Sequence, residues 1–64
     1  MPERLEAARA ELAATEVAIS LILEVVRVLV SAGTDPGPVS NAHMYLVRLK
    51  QAKLERVREL EAEG

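Results

Sequence analysis

The segment from Val17 to Ala32 constrains the fold more than any other part of the chain. Twelve of its sixteen residues are apolar, and polar side chains occur only at Ser20, Glu24, Arg27 and Ser31. At about 100° per residue, these polar positions fall on one narrow strip of a helix, so apolar side chains cover well over half of its circumference. An amphipathic helix normally has a single apolar stripe. We therefore expect that the rest of this short chain cannot cover the segment alone.

Length and composition exclude several classes of protein. The chain has 64 residues and no cysteine, so it forms one domain at most, without disulfides or thiolate metal sites. An apolar content of 50% with 28% charged residues is typical of a folded chain. The net charge is −2, with acidic and basic residues interspersed, which argues against binding to nucleic acid or to anionic lipid. Small domains of this kind commonly depend on oligomerisation for stability.

The apolar segment is too short to be expected to span a membrane. As a helix it is about 24 Å long, whereas the hydrocarbon core of a bilayer is about 30 Å thick. Glu24 and Arg27 also lie inside it, and charges are costly at that depth. The opening residues Met1 to Arg4 lack the features of a secretory signal, so we expect no cleaved leader. The sequence indicates a soluble chain of unknown location, cytoplasmic if it is expressed recombinantly.

Two long helices and one short loop account for the pattern over residues 1–64. Pro2 suits the first turn of a helix, and Gly33 suits its end, so helix 1 is predicted over residues 2–32. Residues 33–37 are predicted as the loop, and helix 2 over residues 38–62, with Asp35 as its capping residue. A short loop forces two long helices to lie side by side. The predicted fold is therefore all-α, an antiparallel two-helix hairpin assembling into an oligomeric helical bundle.

Apolar spacing predicts the seam between the two helices. Helix 1 has a seven-residue repeat at Leu5, Ala8, Leu12, Thr15, Ile19, Ile22, Val26 and Leu29. We expect the hydroxyl of Thr15 to return to the carbonyl four residues earlier. Helix 2 is predicted to use Val39, Ala42, Leu46, Leu49, Leu54, Val57 and Leu60.

The charged residues and the loop predict how the helices pair. A register set by the midpoint of the loop places Glu16 opposite Glu55 and Arg56. The acidic side chains in the first half of helix 1 then face the basic second half of helix 2, which favours antiparallel pairing modestly. Lys50 and Lys53 fall within the apolar arc of helix 2, so we expect their stems to lie flat and their amines to reach water.

The half of the hairpin next to the loop carries more apolar surface than one seam covers. The predicted oligomer interface consists of Val17, Leu21, Val25, Val28, Met44, Tyr45 and Leu46. Burying about five such side chains is worth roughly 8–15 kcal/mol before association entropy. We therefore expect a symmetric homo-oligomer, with a four-helix dimer favoured and a six-helix trimer next. A binding module, or one half of a heteromeric bundle, stays open as the alternative.

Few residues of this chain could bind a metal or take part in catalysis. His43 is the only histidine, and a symmetric oligomer could gather its copies at an axis to hold a metal, haem or small molecule. The favoured interpretation is a half-buried histidine bonded to water or to a carbonyl, and we expect no cofactor. Ser31, His43 and Asp35 form the nearest set for nucleophilic catalysis, but Ser31 lies on the polar strip while His43 points toward the seam. We therefore expect no enzymatic activity.

The style of the whole sequence supports this interpretation. The helices contain RLEAARAEL and KLERVRELEAE, the loop reads GTDPGP, the chain opens with Met-Pro-Glu, and cysteine, tryptophan and phenylalanine are absent. In these features the chain resembles de novo designed helical bundles. The resemblance implies a symmetric assembly without a cellular role, sometimes with a ligand at its axis. Lys50 and Lys53 depart from the pattern, and a small natural helical-hairpin subunit is the alternative.

Overall fold

The structure, a computed structural model, describes residues 2–63 and consists of two long helices. Helix α1 runs over Pro2–Ser31 and helix α2 over Gly37–Glu63, and they pack against each other as an all-α hairpin. The hairpin measures 49 × 14 × 11 Å, and its radius of gyration is 14.9 Å. A globular chain of this length has a radius of gyration of about 11 Å. The hairpin is therefore a rod, and a large part of its side-chain surface faces outward.

Helix α1 ends in a motif that depends on glycine. Gly33 has a φ of 74°, in the left-handed region that a residue with a Cβ rarely adopts. The Gly33 N–H donates to the carbonyl of Val30 at 3.1 Å, and the Thr34 N–H donates to the carbonyl of Leu29 at 2.8 Å. This pair of bonds is a Schellman motif, which satisfies carbonyls that the last turn would otherwise leave free. The prediction that Gly33 ends the helix is confirmed, with the boundary one residue earlier.

Helix α2 begins at a side-chain cap. The Asp35 Oδ1 accepts a hydrogen bond of 2.9 Å from the Gly37 N–H, and the first helical bond runs from the Ser40 N–H to the carbonyl of Pro36 at 2.8 Å. Pro36 therefore directly precedes the helix and Pro38 lies in its first turn, so the missing N–H of either proline costs nothing. The predicted capping role of Asp35 is confirmed. Because both helix ends are fixed within a few residues, the chain must reverse direction here.

The best-buried part of the hairpin lies at the end away from the loop. Ala8, Val57 and Leu60 are buried, and Leu5 and Leu12 pack against them. A small residue at position 8 suits this arrangement, because it lets the helix backbones approach closely. The large apolar residues of the segment 17–32 do not form the centre of this core.

Thr15 extends the buried seam by one polar residue. Its side chain is buried, and its Oγ1 donates a hydrogen bond of 2.8 Å to the carbonyl of Glu11. Threonine can satisfy its hydroxyl within its own helix in this way, so no partner on α2 is needed. The prediction for this residue is confirmed.

Six of the seven predicted seam residues of α2 are buried or partly buried, and only Ala42 departs from the prediction. Ala42 is exposed, whereas His43, Lys50 and Lys53 are partly buried. The stripe keeps a regular alternation of four and three residues, through Val39, His43, Leu46, Lys50, Lys53, Val57 and Leu60. Leu49 and Leu54 flank it. The two lysines fit because their aliphatic stems cover the seam while their amines lie at its edge.

The ion pairs between the helices agree only in part with the predicted register, because Arg9 and Glu61, which pair at 2.9 Å, are equally distant from the midpoint of the predicted loop, whereas Glu16 has a different partner. The Glu16 Oε2 lies 3.7 Å from the Lys50 Nζ, and the Glu11 Oε2 lies 3.0 Å from the Lys53 Nζ. Glu16 therefore pairs more than one turn nearer the loop than Glu55 and Arg56, which were its predicted neighbours. The helix ends differ from the expected ones by one residue each, which moves the turning point of the chain by only one residue and does not by itself account for this change of partner. Arg56 instead pairs with Glu59 of its own helix, at 3.5 Å.

Candidate assembly interface

Large apolar side chains remain exposed in the half of the hairpin next to the loop. They are Val17, Leu21, Leu23, Val25, Val28, Val30, Met44, Tyr45 and Val47. Exposure reaches 63% at Leu21, 64% at Val28 and 66% at Tyr45. Single exposed apolar residues are ordinary on a protein surface, but a cluster of this kind marks an interaction site.

The predicted interface residues fall into two groups in the structure. Val17, Leu21, Val25, Val28, Met44 and Tyr45 are exposed. Leu46 is partly buried and belongs to the inward stripe of α2, so much of its surface already lies within the hairpin. Sequence reasoning missed Leu23, Val30 and Val47, which are also exposed. Their position next to the seam could have revealed them, because each of the three directly follows an inward-facing residue.

The exposed residues form two separate faces of the hairpin. Residues directly before or after an inward position lie about 100° to either side of it. The front face consists of residues that directly precede an inward position, namely Leu21, Val25, Val28 and Tyr45, with Val17 at its outer edge. The back face consists of residues that directly follow one, namely Leu23, Val30, Met44 and Val47.

An ion pair at the far end of the hairpin supports this assignment. Arg9 directly follows the buried Ala8, and Glu61 directly follows the buried Leu60. The Arg9 Nη2 lies 2.9 Å from the Glu61 Oε2. Residues that follow inward positions on the two antiparallel helices therefore lie on the same side of the hairpin. Each face accordingly combines residues from both helices.

Polar edges border the two faces. The polar strip of α1, formed by Ser20, Glu24, Arg27 and Ser31, is exposed along its whole length. An ion pair of 3.1 Å joins Glu24 and Arg27 within this strip. On α2 the corresponding edge carries Asn41 and Arg48, which are also exposed. The polar strip therefore separates two apolar faces along α1, whereas along α2 the exposed Met44 and Tyr45 lie between Asn41 and Arg48.

The candidate chemical residues lie apart from these faces. His43 is partly buried on the inward stripe, so it faces α1 of its own hairpin. Asp35 accepts the capping bond from Gly37, and Ser31 is exposed on the polar strip. Within residues 2–63 no group of three or more histidine, cysteine, aspartate or glutamate side chains is placed to hold a metal ion. This placement assigns His43 to the seam of the hairpin.

Neither helix, over the residues described, is long and apolar enough to cross a membrane. This finding agrees with the charged residues found inside the apolar segment. Comparison of the chain with protein-family models, with curated proteins and with solved structures finds no match.

Proposed function

We propose that the chain is a self-assembling structural subunit that forms a homo-oligomeric helical bundle through the half of the hairpin next to the loop. One observation carries the proposal. Every large apolar side chain described as exposed lies between positions 17 and 47, while the buried core residues lie toward the ends of the chain. The well-covered and the uncovered parts of the hairpin are thus different regions. The uncovered region is where a second copy gains most by binding.

The accessible surface supports the presence of a partner. The hairpin exposes 4823 Å² for a mass of 7.0 kDa. A monomeric protein of that mass exposes about 4,000 Å². The difference, about 800 Å², is close to the area that each partner contributes to an interface of standard size. A partner of that size therefore brings the chain to the surface area of an ordinary folded protein.

The chemistry of the two faces favours a like partner. The large apolar residues of the front and back faces carry no charge, and the net charge of the chain is only −2. Arg27, which directly follows the inward Val26, borders the back face. Two such faces need no complementary charges to bind each other, and the repulsion between copies is small. The resemblance to designed helical bundles implies the same kind of assembly. An unlike partner with an apolar groove is the competing proposal.

A charge placed on the front face tests the proposal. Val25 is 46% exposed, so Val25→Glu leaves the separate hairpin largely undisturbed and places a carboxylate where copies meet. We expect this variant to sediment as a single chain at concentrations where the original chain is oligomeric. Ser20→Glu is the matched control, because it adds the same charge on the polar edge, and Glu6→Gln is a second control near the first turns of α1. Both controls should keep the original mass.

Three results would contradict the proposal. The original chain could be monomeric, which would favour an unlike partner. Val25→Glu could keep the oligomeric mass, or Ser20→Glu could lose it to the same degree. In the last two cases the contacts between copies would lie outside the apolar faces.

A further inference from the structure

We infer that each hairpin binds two neighbouring copies, with its front face against the back face of the next copy, in a closed ring of at least three hairpins. This inference rests on the proposed self-assembly and specifies its geometry. The partner on each face is a second copy of this chain.

The existence of two apolar faces on opposite sides of the hairpin is the first argument. An isologous dimer uses the same face of both copies, so it covers either the front or the back face and leaves the other one exposed. A front-to-front dimer would leave Leu23, Val30 and Val47 exposed to solvent. A back-to-back dimer would leave Leu21, Val28 and Tyr45 exposed to solvent. A front-to-back contact repeated around a ring covers both faces on every copy.

The available area is the second argument. The apolar segment is about 24 Å long, and two adjacent helices are about 20 Å wide, so one face has a footprint of about 480 Å². A dimer through one face would cover about 480 Å² on each copy, which is less than the excess of about 800 Å² in the surface of the hairpin. Using both faces buries about 960 Å² on every copy, which is close to the excess of about 800 Å² in the surface of the hairpin.

The polar edges are the third argument. Glu24 and Arg27 form an exposed ion pair on the α1 edge, between the two faces. In a ring of this kind the neighbours contact the faces, one edge of each hairpin points toward the axis, and the α1 edge meets water when it is the outer one. Glu24 and Arg27 then remain hydrated, so no charge of the polar strip has to be buried.

Two matched variants test the front-to-back contact. Leu21→Glu places a charge on the front face, and Leu23→Glu places the same charge on the back face two residues later. Each substitution disrupts every contact of a front-to-back ring, so each variant alone should have the mass of one chain. In an equimolar mixture, the intact back face of the first variant can bind the intact front face of the second. We expect a two-chain species that contains one copy of each variant.

Native mass spectrometry reads this result directly when one variant is labelled with ¹⁵N, because the two variants otherwise have equal masses. The original chain should give one discrete mass of three or more copies. Circular dichroism of each variant and of the mixture shows whether the helices persist. If a variant unfolds on its own, the mixed pair should still restore both helix content and the two-chain mass.

Other outcomes would overturn the ring. If one variant keeps the original mass while the other becomes monomeric, a one-face dimer is the correct arrangement. If each variant forms dimers alone and the mixture contains no mixed pair, like faces bind each other. Particles of unlimited size would show that the contact does not close. A monomeric original chain would refute the proposed self-assembly itself, which separates that failure from a failure of the ring alone.

Discussion

Replacing Tyr45 tests the energetic contribution of the exposed faces most clearly. Tyr45 is the only aromatic residue of the chain, and 66% of it remains exposed in the hairpin. Tyrosine side chains bury about 150–250 Å² at interfaces, so about 100–165 Å² is still available for a partner. At about 25 cal/mol per Å², covering that area contributes about 2.5–4 kcal/mol to each contact between copies, as an upper bound.

Tyr45→Ala should therefore weaken each contact by up to about 70- to 1,000-fold. The hairpin itself should change much less, because alanine favours a helix more than tyrosine does and this offsets part of the lost packing. Tyr45→Phe is the matched control, since it keeps the ring and removes only the hydroxyl. It should retain the original assembly to within about tenfold, or about 1.4 kcal/mol.

Sedimentation equilibrium over a range of protein concentrations measures the effect. Tyr45→Ala has no absorbance at 280 nm, so interference optics are needed for that variant. Urea unfolding at a low, fixed concentration gives the stability of the hairpin separately. An unchanged association constant for Tyr45→Ala would refute the reasoning, because the most exposed apolar side chain would then contribute nothing to assembly. A loss shared equally by Tyr45→Phe would likewise show that the hydroxyl, and not the buried area, matters.

Two further predictions concern the hairpin and its ion pairs. Gly33→Ala should lower the free energy of unfolding by about 1–2 kcal/mol, since alanine is strained at a φ of 74°. Gly33→Asn should lower it by less, because asparagine tolerates this conformation better. Thermal or urea unfolding measures both losses, and equal losses would argue against a backbone cause. Glu11→Gln removes the 3.0 Å ion pair with Lys53, which is exposed, so it should cost at most about 1 kcal/mol and the cost should vanish near 1 M NaCl. The assembly of the original chain should persist at that salt concentration, because apolar contacts carry it; dissociation by salt would contradict this.

The helices and their ends could be predicted closely from local chemistry. Pro2, Gly33 and Asp35 each have a conformational role that depends only on their neighbours in sequence. The observed helices, Pro2–Ser31 and Gly37–Glu63, begin or end within one residue of the expected positions. The internal hydrogen bond of Thr15 was predictable for the same reason, since donor and acceptor lie four residues apart on one helix.

The inward stripe of α2 could be predicted for its apolar members but not for its polar ones. Val39, Leu46, Val57 and Leu60 were predicted and are buried or partly buried. Leu49 and Leu54 were also predicted and are partly buried, but they lie five positions apart, so they flank the regular stripe rather than continue it. Counting back from Val57 and Leu60 in steps of three and four reaches Lys53 and Lys50, which the structure places in the stripe. Spacing is the better guide here, because a lysine stem can cover apolar surface while its amine reaches a carboxylate.

The register and the copy number depend on relations that no local pattern contains. Arg9 and Glu61 pair as the predicted register allows, but Glu16 pairs with Lys50, because long charged side chains reach along the helices to a partner that the loop alone does not specify. The exposed faces could be anticipated in part, as Leu21 and Tyr45 show, but the division into front and back faces appears only once the inward stripes of both helices are known. The number of copies depends on contacts between chains, which the sequence of one chain does not specify.

The solution mass of the purified chain tests the central claim most directly. Sedimentation equilibrium from low micromolar to millimolar concentration should give a fixed multiple of 7.0 kDa, with dissociation only at the dilute end. A folded single chain of 7.0 kDa across that whole range would contradict the account, because Leu21, Val28 and Tyr45 would then remain in water without a partner.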